Sequence, residues 1–143
     1  MQLKTRLDRL VQLRERTEDG ALSNLARARQ ALGRAQDRLA GAVAAARSDA
    51  RAAADSAFWA IEEAANGRAL QLVRVAHQDV SRAAAGEAAA RQGYAEARTS
   101  AESARRVADR KRAEILKGQA RVEARRLDEL GATGFHRSRP SGT

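Results

Sequence analysis

The sequence predicts an all-α protein, a long antiparallel two-helix coiled-coil hairpin with a disordered C-terminal tail. Three observations predict this fold. Alanine occupies 35 of 143 positions while aromatic residues make up 3%, so the chain can fill a thin helix–helix seam but not a thick globular core. Alanine, arginine, leucine and glutamate are strong helix formers. Apolar residues recur at three- and four-residue spacing, which is typical of coiled coils.

The first predicted arm covers residues 2–63. Its clearest periodic stretch alternates leucine and alanine at spacings of three and four, through Leu25, Ala28, Leu32, Ala35 and Leu39. This alternation predicts one apolar stripe along a helix. The most apolar site follows near the end of the arm, where Phe58 and Trp59 either plug the end of the hairpin or form an exposed recognition site.

The predicted bend lies at residues 64–69, because Asn66-Gly67 is the strongest interior turn signal. The second arm then covers residues 70–130. Gly131 is predicted to end it as a C-cap, since glycine adopts the left-handed conformation at little cost. The helical domain therefore covers residues 1–131, and residues 132–143 form the tail. Arms of similar length favour pairing within one chain; the alternative is one very long helix that dimerises.

Basic residues are concentrated in the second half of the chain. The formal net charge is +9 and the isoelectric point is about 11.3, and the basic density is highest between Arg105 and Arg126. Such a region attracts polyanions, acidic lipid or an acidic protein groove. Charges of both signs are interleaved and the basic region has no aromatic stacking platform. A protein partner is therefore favoured, and nucleic acid is disfavoured.

The residues indicate a binding protein rather than an enzyme. There is no cysteine. His77 has no second histidine within a turn, and His136 lies in the predicted tail, so we expect no catalytic site, metal or cofactor. We find no apolar run of signal-peptide or membrane-span length. The sequence therefore predicts a soluble, cytoplasmic protein.

Both ends of the chain resemble one known family. The opening, Leu3-Lys4-Thr5-Arg6-Leu7-Asp8-Arg9-Leu10-Val11-Gln12-Leu13-Arg14-Glu15-Arg16, and the basic C-terminal stretch ending Arg125-Arg126-Leu127-Asp128-Glu129-Leu130 resemble the FliJ family of flagellar export proteins. The related YscO and SctO proteins of type III secretion injectisomes are equally similar, and the alanine richness leans slightly towards them.

The resemblance implies a central stalk that binds a hexameric type III secretion ATPase and couples it to the export-gate protein, with secretion chaperones as further partners. Association with a membrane would occur only through the export apparatus. The residues fit such a stalk, because a rod with both chain ends together places the basic stretches Arg105–Arg126 and Lys4–Arg16 at one end. We expect this end to bind the ATPase, with Leu7, Leu10 and Leu13 packing on Val122, Leu127 and Leu130. The candidate ATPase-binding residues are Lys4, Arg6, Arg9, Leu10, Leu13, Arg14, Arg121, Arg125 and Arg126.

Two other functions fit the same residues. One is a coiled-coil scaffold or a stalk subunit of a rotary ATPase, which predicts a stable partner coiled coil. The other is a basic, helical nucleic-acid-binding protein, whose affinity would fall steeply with salt because each neutralised phosphate releases counterions.

Overall fold

The structure, a computed structural model, describes the backbone of residues 4–53 and 59–137 and the side chains of residues 4–48, 63–135 and 137. It contains two helices, α1 (Leu7–Ala53, 47 residues) and α2 (Trp59–Arg137, 79 residues). The two helices pack against each other, and the described residues include no strand. The predicted all-α helical hairpin is therefore confirmed.

A local hydrogen-bond pattern fixes the start of α1. The Thr5 backbone N–H donates to the Asp8 carboxylate at 2.6 Å, and the Asp8 N–H donates to the Thr5 carbonyl at 3.1 Å. The first contact is half of a capping box, in which an acidic side chain in the first turn bonds back to the N-cap residue. Asp8 also places a negative charge in the first turn, where the helix dipole favours it.

Residues 15–99 form one compact unit of the hairpin. Leu25, Ala35, Ala69 and Ala76 are its buried apolar residues. The helices are antiparallel in this unit, because Arg29 lies beside Glu87 whereas the later residue Ala42 lines a cleft with the earlier residues of α2 at 65–72. Most of these buried residues are alanines, so the two backbones can approach closely.

The second compact unit contains residues 1–14 and 100–143. Ala101, Ala104 and Ala108 of α2 are buried in it, at 0%, 9% and 1% exposure. Arg112 then donates a short hydrogen bond to Asp8 in the first turn of α1. Every side chain from residue 116 to residue 135 is exposed. The seam of this unit is therefore also built from alanine, and it stops near the start of α1.

The prediction of a bend at residues 64–69 is wrong. Asn66-Gly67 lies inside α2. Helix α1 ends at Ala53 and α2 begins at Trp59, so arm one ends and arm two begins about ten residues before the predicted positions. Gly67 does not have a positive φ. A single helical glycine costs only about 1 kcal/mol relative to alanine, and the helix-forming residues on either side outweigh that cost.

The predicted C-cap at Gly131 is also wrong. The helix continues to Arg137, so residues 132–137 are helical rather than a disordered tail; residues 138–143 lie outside the described part. Gly131 does not have a positive φ. The hydroxyl group of Thr133 donates to the carbonyl oxygens of Glu129 and Leu130, each at 3.0 Å, and these bonds satisfy carbonyl groups near the helix end.

Candidate partner-binding site

The start of α1 is joined to α2 by a network around Asp8. The Arg112 guanidinium donates to Asp8 and, at 2.8 Å, to Asp109 on its own helix. The hydrogen bond from the Thr5 backbone is the largest cause that lowers the pKa of the Asp8 carboxyl; partial desolvation opposes it, and Arg112 lowers the pKa further. Asp8 is therefore held ionised, and its contact with Arg112 joins the first turn of α1 to α2.

This network lines a shallow cleft at the start of α1. Side chains of both signs surround the cleft: Lys4, Thr5, Asp8, Arg9, Val11, Gln12 and Arg112. The cationic groups of Lys4 and Arg9 are exposed here, while Asp8 and Arg112 are held by each other. The cleft is mixed in charge and open, which suits a charged protein surface better than a small ligand.

The face of α2 that packs against α1 continues past the start of α1. Ala101 and Ala108 are buried, and Ile115 and Val122 follow at the same seven-residue spacing, so they lie on nearly the same side of the helix. The exposed large apolar residues of this segment are Leu116 (54%), Val122 (49%), Leu127 (68%), Leu130 (67%) and Phe135 (69%). We call residues 113–137 the α2 extension.

A basic row lies on a different face of the α2 extension. Lys117, Arg121 and Arg125 are exposed and are spaced four residues apart, which aligns them along one side of the helix. Glu114 and Asp128 lie three residues before and after this row. The extension therefore presents a short basic row with an acidic residue at each end, on a different side of the helix from Ile115 and Val122.

Every candidate ATPase-binding residue belongs to the unit that contains the α2 extension. The structure describes all of their side chains as exposed: Lys4, Arg6, Arg9, Leu10, Leu13, Arg14, Arg121, Arg125 and Arg126. One predicted contact is wrong, namely the packing of Leu7, Leu10 and Leu13 on Val122, Leu127 and Leu130. The first turn of α1 contacts Arg112 instead, and the three apolar residues of α2 are 49–68% exposed.

The hypothesis about the bend is not tested. Phe58 lies outside the described residues, and Trp59 is the first residue of α2, with its side chain also outside them. Recognition or plugging by these two aromatic residues stays a prediction.

The sequence reasoning missed the contacts of Glu87. This carboxylate is 7% exposed, accepts two hydrogen bonds from Arg91 at 2.7 and 3.0 Å, and lies 3.6 Å from Arg29 of α1. The hydrogen bond from Arg91 is the largest cause that lowers the Glu87 pKa; desolvation opposes it, and Arg29 lowers it further. The signal in the sequence was that Glu87 is charged at a heptad position where the neighbouring repeats have apolar residues.

Within the described part of the chain, we find no group of three or more histidine, cysteine or acidic residues that could hold a metal ion. His77 is exposed on α2.

The described helices include no segment that is both long and apolar enough to cross a membrane.

The chain is a helical hairpin with an alanine-rich seam and an exposed, charged extension of α2. The family model of the flagellar FliJ protein matches residues 3–140, and the chain therefore belongs to the FliJ family. The family consists of non-catalytic stalk-type proteins of the flagellar and type III export apparatus. A search of curated proteins found no match. A search of solved structures also found none.

Proposed function

We propose that this chain is the central stalk of a flagellar-type export apparatus and that it binds the hexameric export ATPase through the α2 extension and the start of α1. The observation that carries the proposal is the continuation of the packed face of α2 beyond α1, through Ile115 and Val122, into exposed positions. Membership of the FliJ family supports a partner within the export apparatus.

Apolar and basic residues of the α2 extension can both contribute to binding. Its exposed large apolar residues are 49–69% exposed, and each can bury further area at about 25 cal/mol per Å² in a complementary groove. The row of Lys117, Arg121 and Arg125 supplies long-range attraction to an acidic surface, which mainly raises the association rate. The α1 residues Lys4 and Arg9 add positive charge to the same unit.

We further propose that the stalk couples the ATPase to the export-gate protein and escorts secretion chaperones from the cytoplasmic side. A second surface supports additional partners. Ala42, Ala45, Ala65, Arg68, Ala69 and Leu72 line a shallow cleft in the unit of residues 15–99. Leu72 of this cleft is 65% exposed, and Val75, three residues further along α2, is 42% exposed. Both leave apolar area for a partner to cover.

The test is a binding and turnover titration of the full chain against its cognate export ATPase. Reversal of the basic row, Lys117→Glu with Arg121→Glu and Arg125→Glu, should weaken binding by about tenfold or more at low salt, because three attractive charges become repulsive. The matched control, Arg68→Glu with Arg74→Glu and Arg82→Glu, changes the same charge in the other unit. Equal losses in both triple variants, or no effect of the wild-type chain on the ATPase, would contradict the proposal.

The nucleic-acid alternative is less well supported. The basic row is only three residues long and has Glu114 and Asp128 at its two ends, whereas a phosphate-binding face usually presents a larger basic surface. A titration with duplex DNA at two salt concentrations separates the two functions, because nucleic-acid binding would weaken steeply as salt rises.

A further inference from the structure

The seam of the hairpin repeats every seven residues on both helices. On α2, alanine occupies six successive positions of one heptad column: Ala69, Ala76, Ala83, Ala90, Ala97 and Ala104. On α1, two columns repeat at the same spacing, one of leucine and one of alanine: Leu25, Leu32 and Leu39, and Ala28, Ala35 and Ala42. A slip of one helix along the other by seven residues would bring like residues to the same places. These columns therefore specify register weakly.

Glu87 breaks this repetition. It belongs to the other seam column of α2, between Val80 and Tyr94, and it is the one charged side chain that is buried among the described residues. Arg91 lies on the same helix as Glu87 and can accompany it in any register. Arg29 lies on α1, with its Nε atom 3.6 Å from the Glu87 carboxylate, so this contact exists only in the observed register.

A slip by one heptad would remove the partner from α1. In the two slipped registers, Glu87 would face Leu22 or Gln36 in place of Arg29. The carboxylate would then be buried with one cation instead of two, and a buried charge that loses its partner is costly. Arg29 itself is exposed in the observed register, so the penalty falls on Glu87.

We propose that Glu87, through Arg29, is the positioning residue that selects one register of the hairpin from several that the alanine and leucine columns allow. The proposal concerns the unit of residues 15–99, which contains both Glu87 and Arg29.

The chain has no cysteine, so introduced pairs can report the register directly. Ala42 and Ala69 line the same cleft, and the pair Ala42→Cys with Ala69→Cys reports the observed register. Ala42→Cys with Ala76→Cys reports a slip of one heptad in one direction. Ala35→Cys with Ala69→Cys reports the opposite slip. Disulfide yield within the monomer is measured under mild oxidation on non-reducing gels.

In the parent chain, only the Ala42–Ala69 pair should cross-link efficiently. Glu87→Leu keeps an apolar, helix-forming side chain in the seam, so the hairpin should stay folded, and its helicity is checked by circular dichroism. This variant should raise the yield of at least one slipped pair by about tenfold. The control Glu96→Leu, at an exposed position of the same helix, should leave the yields unchanged.

Rescue separates a register role from a general effect of the substitution. The triple change Arg29→Glu, Glu87→Arg and Arg91→Glu inverts every charge of the cluster and should restore cross-linking to the Ala42–Ala69 pair alone. Unchanged yields in Glu87→Leu, or equal slippage in Glu96→Leu, would overturn the proposal. The cross-links require no ATPase, so a failure of ATPase binding leaves this result intact and counts only against the proposed function.

Discussion

Replacing Leu25 by alanine removes the one leucine that is buried among the described residues. Leu25 is 4% exposed, and deletion of a buried leucine side chain costs about 2–5 kcal/mol through lost transfer energy and the cavity that remains. The seam is lined mainly by alanine and is only one layer thick, so water and neighbouring side chains can partly fill the space. We therefore expect a loss of about 2–3 kcal/mol in the free energy of unfolding, near the lower end of that range.

Leu22→Ala is the matched control for this change. Leu22 lies three residues earlier on α1 and is 48% exposed, so the same change of helix propensity occurs with about half of the burial. We expect it to cost about 1 kcal/mol. Urea denaturation followed by circular dichroism at neutral pH measures both variants. Equal losses, or a loss below about 0.5 kcal/mol for Leu25→Ala, would refute the packing that we describe.

Three other perturbations test separate features of the hairpin. Gly93→Ala should raise the free energy of unfolding by about 0.5–1 kcal/mol, because nothing lies within 4 Å of an added Cβ and φ is not positive; a loss of stability in urea denaturation would contradict this. Ala101→Leu should cost about 1–3 kcal/mol by overpacking, because Ala101 is 0% exposed, whereas Ala95→Leu at an exposed position should be nearly neutral in thermal melts. The lowered pKa of Glu87 means that its ionised form stabilises the hairpin above pH 4.5, the ordinary value, and that this contribution is lost as the pH falls through the lowered pKa. The difference in urea midpoint between wild type and Glu87→Gln should therefore shrink below that pH, and a difference independent of pH would argue against an ionised Glu87.

The helical hairpin could be predicted because its information is local and repeated. Alternating residues such as Leu25, Ala28 and Leu32 indicate one apolar side on a helix, and the structure buries Leu25 and leaves Ala28 and Leu32 partly exposed. The resemblance at the two chain ends predicted the family that the family model confirms. These features need no knowledge of which residues of α1 meet which residues of α2.

The position of the bend and the register could not be predicted, because neither is encoded locally. Asn66-Gly67 is a turn signal in isolation, but within an alanine-rich sequence the continuing helix is more stable. The early reversal makes α1 shorter than α2, at 47 against 79 residues. The first turn of α1 therefore meets Arg112 rather than the leucines near residue 127, and the leucine contacts expected from equal arms are absent among the described residues.

The partner-binding role of the predicted site residues stays a prediction. The basic residues of α1 and of the α2 extension are exposed, because lysine and arginine keep their charged groups in water unless they are paired in the interior. The role of Asp8 was not predicted, since its partner Arg112 is 104 positions away. Glu87 was visible as a charged residue in the apolar pattern, but only the structure shows that Arg29 lies beside it.

The most direct measurement is the affinity of the full chain for its cognate export ATPase hexamer after Leu127→Glu and Leu130→Glu. Both leucines are exposed, at 68% and 67%, so the double variant should remain as helical as the wild type. The proposed stalk function predicts at least about a tenfold loss of affinity, and less than twofold for the control Leu70→Glu with Leu72→Glu, whose leucines are 58% and 65% exposed. Unchanged affinity of the Leu127 and Leu130 variant, with the control equally unaffected, would show that the α2 extension does not bind the ATPase.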